Sequence, residues 1–324
     1  MATTHRGSAV TITTAATAVA LTLVVPSLWD QAGTGVLVVG LLIGVPHGAV
    51  DHLLPLYRHR STTSTLPLFI GAYAAVAALS WVAITTFRAA GLIAFLTLSA
   101  VHFGTGEATF AHIRDGHRSG TQWKWIATGI AIIALPITTH QNVVLPYLQA
   151  FAPHTRWELG QPAAQLLTAI ILVIMVGVVA AHLRNAAYLQ ATETTLLMAL
   201  MTLAPPTVAV GVYFGAWHSV RHLMILLAEN PTNRADLTQQ NFGRPVRRFA
   251  VAAVLPTTAA LGMIAIVWFG AANGHLHQFI AQDLAILAAL TVPHTAAVWW
   301  LDHTRTTAVP PQSIHGTASQ SPPR

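Results

Sequence analysis

Histidine recurs near the middle of long apolar runs: His47 in GVPHGAVDHLL, His102 in SAVHFGTGE, and His218 with His222 in FGAWHSVRHLM. A ring nitrogen placed in hydrocarbon must find a partner. Several such rings in a chain without cysteine suggest a metal held by nitrogen donors inside a bilayer. His218 and His222 are four apart, so a helix sets them one turn apart on one face, where they can grip one ion. The plainer alternative is a pair of core histidines satisfied by hydrogen bonds. His47 lies between Pro46 and Gly48. Proline frees a backbone carbonyl and glycine admits a neighbouring helix, which suits a site at a distorted turn. His102, followed by Phe103 and Gly104, completes the set of expected ligands. Iron(II) and zinc both accept imidazole, but only iron brings redox chemistry with O2, and composition does not choose between them.

Asp51 lies one turn past His47, and Glu107 lies five residues past His102. Carboxylates at such depth need protons or partners. They are expected either to orient the ligand imidazoles or to pair with Arg221, itself inside an apolar segment. His52 and His294 are further buried candidates for the metal. His5, His112, His140, His154, His182 and His303 are expected to be solvated at helix ends or loops, as are His59, His117, His275 and His277. Trp123, Trp125, Trp157, Trp299 and Trp300 are expected to anchor at the membrane interfaces.

The elements that must carry these residues follow from composition. The 324 residues are 54% apolar and 8% charged, against about 25% charged in a soluble domain. The expectation is an all-α polytopic membrane helix bundle of about ten transmembrane helices, eight to ten at roughly 20 residues each. Apolar runs between turn and charge signals predict helices near 9–28, 34–56, 66–87, 90–112, 124–140, 161–183, 189–204, 206–228, 249–270 and 276–301. The seventh is short and contains Glu193. The first reads as a retained helix, since Pro26 to Asp30 offers no small-residue cleavage pattern. One transmembrane domain is expected over 1–302, with a disordered cytoplasmic tail over 303–324.

The formal charge of +6 does not point to nucleic acid, because the arginines are scattered over short connections and form no basic stripe. With ten crossings, thirteen of the 16 basic residues fall on one side and only Arg88 and Arg156 on the other. That asymmetry puts both termini in the cytoplasm of a cell-membrane protein. His47, His102, His218 and His222 then lie on three helices running the same way, each about 12 to 16 residues, or roughly 18 to 24 Å, from the outer end. They share a depth, and they can converge if their helices are neighbours.

The blocks PHGAVDHL, SAVHFGTGE and WHSVRHLM, in that order on separate apolar segments, resemble the Brp/Blh family of membrane-embedded β-carotene 15,15'-dioxygenases. The late block VPHTAAVWW is also similar to that family's C-terminal region, so the resemblance covers roughly residues 40 to 300. It implies that His47, His102, His218 and His222 bind a nonheme Fe(2+), which with O2 splits the central double bond of β-carotene into two retinal molecules. It further implies product delivery to a microbial rhodopsin. Phe103 and Trp217, within the shared blocks, and Tyr213 and Phe214, just before the third, are expected by proximity along the carotenoid tunnel. Asp51, Glu107 and Arg221 would hold and tune the ligands.

Rival readings are a metal-ion or proton transporter, a bis-histidine haem carrier, a di-metal desaturase, and a noncatalytic accessory of retinal supply. A transporter predicts polar residues continuing above and below the cluster, where this sequence has Ala, Leu, Val and Ile. A desaturase predicts adjacent His-His pairs, and none occurs.

Overall fold

A computed structural model describes residues 2–57, 65–116, 122–270 and 276–307, and among them there is no β-strand. Helix α1 (Ala2–Val24) turns at Pro26 into α2 (Leu28–Ala49). A 3-10 turn, Asp51–Leu53, then leads into the short α3 (Leu54–Tyr57). Helices α4 (Leu66–Thr86) and α5 (Arg88–Asp115) follow, the latter closed by Gly116 at φ 73°, a left-handed C-terminal residue that glycine takes without steric cost. Next come α6 (Gln122–Thr139), α7 (Gln141–Phe151), α8 (Gln161–Arg184) and α9 (Tyr188–Leu203). Pro205 separates α9 from α10 (Pro206–Gly211), which passes through a π-helical turn, Val212–His218, into α11 (Ser219–Glu229). The small α12 (Arg234–Thr238) precedes α13 (Gly243–Gly270) and α14 (Leu276–Thr307).

The all-helical membrane architecture expected from composition is therefore present, and each of the ten predicted segments falls on a helix. Among the described residues, seven helices are long and apolar enough to cross a membrane, or eight if the bent pair α6 and α7 forms one span. The difference from ten lies in α9 and in the α10–α11 unit. At 16 residues α9 spans about 24 Å, short of the roughly 30 Å hydrocarbon core. The α10–α11 unit is interrupted by the π turn and carries Arg221.

Helix α7 lies where the sequence predicted only connection. The chain bends by 103° at His140, whose backbone leaves the helical region, and resumes with an apolar face. Leu148 and Phe151 on that face pack against Ala281, Ala285 and Ala289 of α14, so burial outweighs the proline at 146. The last helix runs to Thr307, into the segment assigned to the tail, and residues 308–324 lie outside the described ones, as do His59, His117 and His275.

Helices α4 and α13 expose most of their apolar surface, including Leu79, Leu255 and Phe269, the pattern of lipid-facing helices. The interior belongs to the others. Ala15, Leu135, Met175, Leu200 and Trp217 form a core between α1, α6, α8, α9 and the π turn. Glycines let backbones touch there. A Cβ on Gly40 of α2 would strike the backbone of Gly211, and one on Gly129 of α6 would strike that of Ala100 on α5. The first contact presses α2 against the end of α10, just before the π turn, and the second presses α6 against α5, so both bear on helices that carry histidine.

A buried centre of imidazoles

The structure brings His47, His102, His218 and His222 together at the junction of α2, α5 and the π-turn helix, and adds His294 from α14. Ring centroids lie 5.0 Å apart for His47 and His218, 5.4 Å for His47 and His222, and 5.1 Å for His102 and His218. His294 is 5.2 Å from His47, 4.9 Å from His102 and 5.4 Å from His222. All five residues are buried. His218 and His222 stack nearly parallel at 6.2 Å, as a four-residue spacing dictates.

Local hydrogen bonds set the direction of the rings. Nδ1 of His47 bonds the carbonyl oxygen of Gly44. A carbonyl only accepts, so the hydrogen sits on Nδ1 and leaves Nε2 as a lone pair. Ser219 Oγ, which donates to the Phe214 carbonyl, also lies 3.2 Å from that Nδ1. Buried Nε2 atoms of His102, His218 and His294 have no hydrogen-bond partner. An unsatisfied buried polar atom costs about 1–3 kcal/mol, so three in one place call for a common partner. Ligand atoms of His47, His218 and His294 all lie within 4.8 Å of one another. Converging lone pairs of neutral imidazoles, with no thiolate nearby, fit a first-row transition-metal ion.

His52 is turned away, its Nδ1 facing the Ala49 carbonyl at 3.0 Å. Asp51 does not orient His47, its neighbour along the helix. The 3-10 turn swings it to His294, where Oδ2 accepts from Nδ1 at 2.7 Å. Tyr73 of α4, which the sequence did not single out, donates its hydroxyl to the same oxygen at 3.0 Å.

Of the two roles open to Glu107, the ion pair is the one formed. Oε2 meets Arg221 at 2.5 Å, and Oε1 accepts from the Trp217 indole at 3.0 Å. Arg221 also reaches Glu193 at 2.6 Å, and Arg114 holds the same Glu193 oxygen at 2.7 Å and Asp115 at 2.8 Å. Helix α1 supplies Thr11 to Arg221 and Ser8 to Arg114. Glu193, the charge within the short seventh segment, is thus paired with two arginines.

Phe103 lies 4.9 Å from His218 and 5.0 Å from Tyr213, and Phe214 lies 5.4 Å from His47. Trp217 is fully buried behind them. A cavity beside the rings is lined by His102, His218, His222, Ile225, Val298 and Leu301. Of the histidines expected to be solvated, His5, His154 and His303 are exposed. His182 instead is buried against Trp125, their rings 5.8 Å apart. Trp125 therefore packs inward, because α6 fits tightly between α5 and α8, while Trp123 and Trp299 remain exposed.

The fold and the site together define a multi-helix membrane protein with a buried polyhistidine centre. Residues 37–302 match the family described as β-carotene 15,15'-dioxygenase, and the chain belongs to that family. It is 30% identical over 289 residues to the probable β-carotene 15,15'-dioxygenase Blh of Halobacterium salinarum, covering 81% of this chain and 82% of the relative. To the probable β-carotene 15,15'-dioxygenase Brp of the same organism it is 27% identical over 309 residues, 85% of each chain. No solved structure matches the chain.

Proposed function

We propose that this protein is an O2-dependent dioxygenase of the cell membrane that cleaves β-carotene at its central 15,15' double bond into two molecules of all-trans-retinal, using Fe(2+) held by His47, His102, His218 and His222. The observation that carries the reading is the meeting of buried imidazoles from separate helices, with the Nε2 atoms of His102 and His218 without a hydrogen-bond partner, in a chain of this family.

Iron bound by neutral imidazoles would supply oxygen activation, which zinc does not. Both atoms of O2 end in the two aldehydes, so the reaction needs no external electron or proton. The protein's own contribution is to bind, aim and exclude water. His47 is held in one tautomer by Gly44, and the Glu107–Arg221 pair fixes the helix that carries His218 and His222. Phe103, Tyr213 and Phe214 offer an aromatic wall to the polyene. Trp217, whose indole is committed to Glu107, backs that wall. A long apolar substrate enters laterally from lipid without crossing water, and retinal leaves the same way, available to a microbial rhodopsin.

Helices α9 and α10–α11 are proposed to cross inside the bundle, giving ten crossings with both termini cytoplasmic, since their charges are paired internally.

Expression in cells that accumulate β-carotene tests the activity. Loss of orange colour with retinal appearing is expected, and His218→Ala or His222→Ala should abolish it. Persistent pigment in cells making ample, iron-loaded protein would rule the activity out.

A further inference from the structure

His294 is tied to the fold by a chain of hydrogen bonds whose members come from three elements. The ring follows Pro293 on α14, which packs along α4. Its Nδ1 lies 2.7 Å from Oδ2 of Asp51, in the 3-10 turn after α2, and Tyr73 on α4 donates to the same oxygen at 3.0 Å. A carboxylate oxygen only accepts, so the ring hydrogen is on Nδ1. The opposite nitrogen, Nε2, is then a lone pair that is buried and without a hydrogen-bond partner. A histidine serving only to fill the core would gain nothing from a carboxylate behind it and a bare acceptor in front. The bare nitrogen belongs to the group whose ligand atoms converge within 4.8 Å, with His47 and His218. Gly48 of α2 lies against this ring, since a Cβ there would make ordinary contact with His294 Nδ1 at 3.5 Å.

We infer that His294 is a fifth imidazole ligand of the metal centre, and that Asp51 and Tyr73 are positioning residues that fix its tautomer and aim. This rests on the metal-binding reading above. A carboxylate behind a ligand imidazole raises its basicity and fixes its orientation. Five such nitrogens would leave a six-coordinate ion a single open position.

The test uses the purified full chain in detergent, stripped with chelator and titrated anaerobically with cobalt(II) alone. The readouts are the visible cobalt absorption and the metal bound per chain, for wild type, His294→Ala, His294→Gln, Asp51→Asn and Tyr73→Phe. Both His294 variants should change the cobalt spectrum and weaken binding by at least about tenfold. Asp51→Asn, which keeps an acceptor but removes the charge, should weaken it by roughly 10–100-fold, and Tyr73→Phe should shift it less in the same direction. Should His294→Ala fail to fold by size-exclusion, His294→Gln and Asp51→Asn decide alone. Wild-type spectrum and affinity in the folded His294 variants would overturn the inference while leaving a four-histidine centre intact. A wild-type chain that takes up no cobalt would overturn the metal reading itself.

Discussion

Arg221 shows how far a single buried side chain reaches in this protein. Its guanidinium joins Glu107 to Glu193 and lies over the Trp217 and Phe110 rings, 4.3 and 4.6 Å from their centroids. Removing the cation would leave Glu107 with only the Trp217 indole in a low-dielectric interior, while Glu193 keeps Arg114. Arg221→Met should therefore cost about 3–5 kcal/mol, the usual penalty for orphaning buried charges. Thermal unfolding in detergent measures it. Arg221→Lys should lose less, because it keeps the charge and forfeits only the two-pronged geometry. Imidazole chemistry makes a second prediction at this scale. Stripping the metal should stop retinal formation, and Fe(II) should restore it where Zn(II) does not, because both ions bind imidazole but only one activates oxygen. Recovery with zinc would exclude the oxygen chemistry proposed here.

At the scale of elements, close backbone contact decides where the histidines meet. A methyl group on Gly129 would enter the backbone of Ala100, and one on Gly40 the backbone of Gly211. Neither neighbour is the end of a flexible side chain. Gly129→Ala and Gly40→Ala should each cost roughly 1–3 kcal/mol by overpacking, and should lower metal occupancy as α5 or α2 is pushed outward. Gly177 on α8 has nothing within 4 Å of its would-be Cβ. Gly177→Ala should be neutral or stabilising by up to about 1 kcal/mol, since alanine is the better helix former. A melting series of the three variants separates contact from propensity. If all three behave alike, the glycine contacts do not set the spacing of the helices.

The whole molecule raises the question of how many helices cross the membrane and which way. The chain has no cysteine, so single introduced cysteines report sidedness directly. With ten crossings, His154→Cys and Leu203→Cys should react with an impermeant maleimide in intact cells, and Gln239→Cys only after the membrane is opened. All three positions are exposed on the protein. Leu203 discriminates, because labelling from the cytoplasmic side there would mean that α9 does not cross.

The sequence by itself determined the helical membrane architecture, the position of nearly every helix, and four of the five histidines at the centre. These are local properties: apolar runs of spanning length, proline and glycine punctuation, and a four-residue repeat on one face. It offered two partners for Glu107 and could not choose between them, since Arg221 is 114 residues away. It named His294 only as a further candidate beside His52 and passed over Tyr73, and it saw in Glu193 only a charge within a short helix. Tertiary structure settled these points. A 3-10 turn redirected Asp51 to a ring 243 residues distant, and two arginines from other helices closed on Glu193. Periodicity says which face a side chain takes on its own helix, but the face opposite is chosen by packing, and a buried charge or lone pair has meaning only through what stands across from it.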